Sequence, residues 1–180
     1  MNSQNEKYQS PPLGDGDKTL LVIRHAKSSW DIGTLNDFER PLNDRGKKDA
    51  PAMAQKLKER NILIDAFVAS PAKRAKKTAE LFIEEYSRNK EDIIFITKLY
   101  HAPAEVFFEV VENLQENFNT VAVFSHNPGI TEFVNMLTDD VRLDNMPTCG
   151  VFAVRTHSPS WKNFTKAKKE FFFFDYPKNI

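Results

Sequence analysis

The chain has 180 residues, with 25 Lys plus Arg against 25 Asp plus Glu and a single cysteine. That length suits one domain with a real core. The balanced charge gives no polybasic surface for nucleic acid or an anionic membrane, so any anion site must be local.

Met1 to Asp17 is polar and lacks an apolar run. A disordered tail is expected over residues 1–17, ahead of a single domain over 18–180. No stretch approaches the length of a membrane span. Cys149 excludes an intrachain disulfide and reads as a small buried side chain. A soluble, cytoplasmic protein is the expectation.

Thr19 to Ile23 is an apolar run too short for a helix, which predicts a strand buried on both faces. It stops at Arg24 and His25. Trp30 to Leu42 has no periodicity and reads as a loop. Asn43 is a good N-cap for a helix over Asp44 to Arg60, although Pro51 is awkward inside it. Ala66 to Ala69 predicts a second strand. Ser70 and Pro71 then read as the cap and first turn of a helix running to Tyr86.

Ile93 to Ile96 predicts a third strand, and Ala104 to Asn117 a third helix with an apolar stripe. Thr120 to Phe124 predicts a fourth strand. Asn127 and Pro128 would open a fourth helix ending near Leu137. Val151 to Arg155 and Phe171 to Tyr176 predict two last strands. With no helix between them, they are candidates for antiparallel pairing. The four phenylalanines 171 to 174 suggest a strand covered on both faces, guarded by Lys168, Lys169, Glu170 and Pro177. The alternation implies an α/β fold: a three-layer α/β/α sandwich on a mostly parallel sheet.

Three of these runs discharge polar residues at their carboxyl ends. The first leads to Arg24 and His25, the second to Ser70 and Arg74, and the fourth to Ser125 and His126. A parallel sheet would bring those ends to one edge, where ligands bind. Arg74 lies four residues beyond Ser70, about one turn into its helix. Two arginines and one histidine could balance a phosphoryl dianion there. The second histidine would be free to attack it.

At these residues the chain resembles the histidine phosphatase superfamily, also called phosphoglycerate mutase-like. The matching pieces are V-I-R-H-A at 22–26, R-P-L-N-D-R-G at 40–46, S-P-A-K-R-A-K-K-T-A at 70–79 and S-H-N-P at 125–128. The compact length and the R-P-L-N segment look most like the SixA-type phosphohistidine phosphatases. Between Ile96 and Ala104 there is no room for the large helical insertion of bigger relatives. The resemblance implies that His25 is the nucleophile and becomes phosphorylated. It implies that Arg24, Arg74 and His126 bind the phosphoryl group and stabilise its transition state. No metal and no cofactor is implied, because side chains supply the positive charge. Lys27, Ser28 and Arg40 are candidate substrate contacts.

Two departures stand out. Ala26 occupies the position where the family usually has glycine. The glutamate that many relatives use as general acid is missing after Leu99, which leaves Asp31, His101 and Glu105 as candidates. The leading expectation is a phosphatase acting on a phosphohistidine-containing protein. The alternatives are a phosphatase of small phosphorylated molecules and a non-catalytic module that docks phosphorylated proteins.

Overall fold

The computed structural model describes residues 17–29 and 36–179. The expected tail lies outside these residues except for Asp17, and so do Asp31 and most of the first half of the Trp30–Leu42 loop. Six strands form one sheet: β1 (Lys18–Arg24), β2 (Ala66–Ala69), β3 (Ile94–Phe95), β4 (Thr120–Ser125), β5 (Val151–Thr156) and β6 (Lys169–Asp175), in the order β3-β2-β4-β1-β5-β6. Pairings β1/β4, β2/β4 and β2/β3 are parallel, while β1/β5 and β5/β6 are antiparallel.

Four helices cover the sheet: α1 (Asp44–Glu59), α2 (Lys73–Glu85), α3 (Ala104–Glu112) and α4 (Gly129–Leu137). Side chains alternate across a strand, so β1 splits between two cores. Leu20 and Val22, with Val121 and Val123 of β4, pack with Phe107 of α3 and Phe133 of α4. Leu21 and Ile23, with Ala122 and Phe124, pack with Met53 of α1 and Phe82 of α2. Each of the larger side chains among these, Val, Leu, Ile, Met or Phe, contributes about 1.5–3 kcal/mol when removed from water. The result is the expected α/β/α sandwich. The segment between β3 and α3 is a single 3-10 turn at Thr97–Leu99 and a short bend, with no helical insertion. Among the described residues no helix is long and apolar enough to cross a membrane.

Local chemistry moved several boundaries. Asn43 does cap α1, its side chain accepting from the Gly46 N–H at 2.9 Å, and Pro51 lies inside that helix. Ser70 does not cap α2. The helix starts at Lys73, and the Ser70 hydroxyl turns instead toward the Ala72 N–H and His126. Asn127 does not cap α4 either, because its side chain bonds Thr131, Asn145 and Met146. Helix α3 ends at Glu112 and not at Asn117. There the Asn113 side chain donates to the Glu109 carbonyl, competing with the backbone for it. Strand β3 is only two residues long, on the sheet edge.

Strand β6 forms the other edge. Phe171 and Phe174 pack on the α3/α4 side and Phe172 and Phe173 on the α1/α2 side. A register shift opposite Ala153 and Val154 breaks the simple alternation. Arg155 stacks over Phe172 at 3.5 Å and Arg60 over Phe173 at 5.0 Å, so cations cover part of the aromatic edge.

Two glycines set the distance between helices and loops. A methyl at Gly46 would overlap the Lys27 carbonyl, and one at Gly129 would overlap the Ala102 carbonyl. Gly46 thus lets α1 press against the chain that follows β1, and Gly129 lets α4 press against the chain that precedes α3. Gly46→Ala and Gly129→Ala should each destabilise the fold by about 1–3 kcal/mol. Urea midpoints at constant m-value check this; wild-type midpoints would show that the two loops give way freely.

Candidate active site

Strands β1 and β4 pair in parallel with Arg24 opposite Ser125. The next residue on each is a histidine, and the rings of His25 and His126 lie 5.2 Å apart. Strand β2 pairs with the other side of β4, which brings Ser70 to within 2.8 Å of His126 Nε2. Arg74, in the first turn of α2, points back to the same edge. Its Nε lies 3.2 Å from His25 Nε2.

The bonding of His25 defines its tautomer. Nδ1 lies 2.8 Å from the Ala26 carbonyl oxygen, which can only accept, so Nδ1 carries the proton. The Nε2 lone pair is then free to accept from Arg74. Burial lowers the His25 pKa to about 3; the Ala26 bond opposes this, and the charges of Arg74, Arg24 and Arg40 reinforce it. The imidazole is therefore neutral at physiological pH, with a buried nitrogen lone pair facing guanidinium groups. Burial also lowers the pKa of His126 well below its ordinary value, and the charge of Arg74 adds to this.

A cavity of about 230 Å³ opens at this edge, and Arg24, His25, Arg74, His126, Lys27, Ser28 and Arg40 all line it. Arg24 donates to the Met146 carbonyl at 2.6 Å. Its pKa is lowered by burial and by the charges of Arg40 and Arg74. A short ribbon holds the Arg40 loop. Ser28 bridges Leu42, the Ser29 N–H donates to Pro41, and the Asn43 N–H donates to Lys27. Ala26 is fully buried and its backbone is not left-handed, so the methyl is accommodated. Its N–H donates to Thr78 Oγ1, which in turn donates to the Arg74 carbonyl. One hydroxyl thereby ties the residue after His25 to the turn that carries Arg74. Cys149 sits behind the site with its N–H on the Arg24 and His25 carbonyls, and burial pushes its thiol pKa up.

Of the three acid candidates, His101 lines the cavity, Glu105 does not, and Asp31 lies outside the described residues. His101 has a left-handed backbone, φ 53°, and its Nε2 lies 3.4 Å from Asp37 Oδ2. Asp37 and Tyr100 were not singled out in the sequence. Asp37 Oδ2 accepts from Arg74 Nη2 at 2.9 Å and from the Tyr100 hydroxyl at 2.9 Å, and Oδ1 pairs with Arg40 at 3.2 Å. Partial burial raises the Asp37 pKa, but hydrogen bonds from Tyr100 and Arg74 and the charges of Arg74 and Arg40 hold it below the ordinary range. Asp37 sits in a stretch without periodicity, and no local signal marked it.

The sequence model of the histidine phosphatase superfamily (branch 1) matches residues 20–95. A solved structure of the protein histidine phosphatase SixA complexed with tungstate shares the fold with a TM-score of 0.75 at 22% identity, over 89% of this chain and 98% of that one. An uncharacterised chloroplastic protein of Arabidopsis thaliana is 26% identical over 164 residues, 86% of this chain and 74% of that protein. A 2,3-bisphosphoglycerate-dependent phosphoglycerate mutase of Bartonella henselae is 32% identical over 80 residues, 43% of this chain and 39% of the mutase. The matched segment carries Arg24, His25 and Arg74. The chain is thus similar to the histidine phosphatase superfamily over that segment, and it shares the fold of SixA over most of its length. Its overall architecture is that of the SixA structure.

Two imidazoles kept neutral by burial make folding sensitive to acid. Below pH ~6.5 the unfolded chain binds protons at these rings that the folded chain refuses, so stability is lost as pH falls from ~6.5 toward ~3. The loss should reach at most about 1.4 kcal/mol per pH unit for each ring. Urea unfolding from pH 7 to pH 4 should show this slope, and it should flatten in His25→Asn/His126→Asn. An equally steep slope in that variant would assign the acid sensitivity to other groups.

Proposed function

We propose that this chain removes a phosphoryl group from phosphohistidine in a protein, passing it through His25. The observation that carries the reading is the buried, unprotonated Nε2 of His25 held 3.2 Å from a guanidinium nitrogen of Arg74. The lone pair attacks phosphorus and the Nε2–P bond forms as the bond to the leaving group breaks. Arg24 and Arg74 place positive charge beside the equatorial oxygens, where the transition state gathers negative charge. Entry of a dianion favours protonation of His126, which can then donate to the same group. Water next attacks the phosphorylated His25, releases phosphate and returns Nε2 to its starting state. Lys27, Ser28 and Arg40, on the same cavity wall, are proposed to contact the substrate. A SixA of the same fold was solved with tungstate, a tetrahedral oxyanion, which is consistent with phosphate binding on this scaffold.

The test is a brief reaction with a labelled phosphoryl donor, followed by peptide mapping. An acid-labile label on His25 is expected. Label on His126 would reverse the roles, and no label with tight phosphoprotein binding would indicate a docking module.

Leaving groups should matter. An alkyl ester expels an alkoxide whose conjugate acid is about as weak as water, pKa ~15.7, and needs a strong general acid. Phosphohistidine expels an imidazole whose conjugate acid has a pKa of roughly 6.5. Among the described residues the one candidate carboxylic acid, Glu105, does not line the cavity, so phosphoramidates and aryl phosphates should turn over far faster than phosphoserine or sugar phosphates. Rates across a series of esters should fall steeply as leaving-group pKa rises. A flat dependence that steepens in His101→Ala would instead identify His101 as an effective acid and favour small phosphate esters as substrates.

A further inference from the structure

The segment from Asp37 to Leu42 is a wall with two sides. Asp37 and Arg40 face the catalytic cavity, whereas Phe38, Glu39 and Pro41 line a second, larger groove of about 460 Å³. Helix α2 divides its side chains in the same way. Arg74 enters the catalytic cavity, while Lys73, Lys76 and Lys77 line the groove together with Pro71 and with Lys47 of α1. Four lysines and two glutamates in one groove contrast with a chain whose net charge is zero.

The pairing inside the groove sharpens the contrast. Lys77 is held by Glu80 at 3.3 Å and Lys47 by Asp44 at 3.4 Å. Lys73 and Lys76 have no carboxylate within ion-pair distance among the described residues. Lys76 lies over the ring of Phe95, one of the few large apolar side chains exposed to solvent. The groove therefore offers an apolar floor of Phe38, Pro41 and Pro71 beside two exposed, uncompensated cations. It runs along the same wall as the phosphoryl pocket, so one polypeptide could occupy both.

We propose that this groove docks an acidic stretch of the protein substrate, one that carries glutamate or aspartate together with apolar residues beside its phosphorylated side chain. This rests on the reading of a phosphoprotein substrate. The lysines supply specificity and encounter rate, and the aromatic and proline floor supplies buried contact. A small phosphorylated molecule confined to the catalytic cavity gains nothing from it.

The test compares two histidine peptides phosphorylated with phosphoramidate, one flanked by Glu and Leu and one by Lys and Leu, with an aryl phosphate as the small substrate. The wild-type protein should prefer the acidic peptide at least tenfold in kcat/KM, mainly through KM. Lys73→Glu/Lys76→Glu should abolish or invert that preference and leave aryl phosphate turnover unchanged. Both lysines are exposed, and an unchanged Tm verifies the fold of the variant. Equal turnover of both peptides by wild type overturns the proposal. So does an unaffected preference in the variant, or an equal fall in aryl phosphate turnover. Turnover of aryl phosphate with neither peptide cleaved would refute the phosphohistidine reading. Fluorescence anisotropy of the unphosphorylated, dye-labelled acidic peptide then decides the groove. Wild-type binding that weakens at least tenfold in the double variant supports it, and no wild-type binding overturns it.

Discussion

The site hangs on one buried guanidinium. Arg74 is 2% exposed, and a buried cation without partners is expensive. Its Nε is spent on His25 and its two terminal nitrogens on Asp37, through the side chain and the backbone carbonyl. One planar fork thus fixes the His25 ring on one side and the Asp37–Leu42 wall on the other. A lysine could hold charge there but not that geometry, because an ammonium on a flexible stem lacks a rigid set of donors. The same guanidinium helps keep His25 unprotonated, so the position of the ring and its protonation state share a cause.

The scaffold delivers these groups with little freedom. In-register parallel pairing of β1 and β4 fixes the two histidines as neighbours. Thr78 joins the residue after His25 to the first turn of α2. Glycines at 46 and 129 permit helix–loop approaches that any side chain would block. Such contacts set the cavity wall at a precision that loops alone would not give.

Elements with a strong local pattern were legible. The apolar runs of β1, β2 and β4 and the cap at Asn43 formed where they were expected. Arg24, His25, Lys27, Ser28 and His126 reach the cavity from strand ends and Arg74 from the first turn of α2, whereas Arg40 reaches it from the loop before α1. Elements decided by competition were not legible. Ser70 and Asn127 have the chemistry of helix caps, yet both side chains found better partners elsewhere in the fold. Asn113 cut α3 short by a bond that no periodicity announces. The four phenylalanines of β6 divide between two faces around a bulge set by its partner strand.

By itself the sequence determined the strands, the helix faces, and the polar residues left at strand ends, because these follow from local spacing and from the cost of burying charge. It also determined that, in a chain of zero net charge, any anion site must be local. Only the tertiary structure decided what the cations of that site face. Asp37 meets Arg74 across 37 residues of chain and Tyr100 across 63, and His25 meets Arg74 across 49. The tautomer of His25, the carboxylate over the pocket and the lysine groove behind the wall all depend on such distant encounters. Hydrogen bonds of that kind leave no trace in the periodicity of either partner.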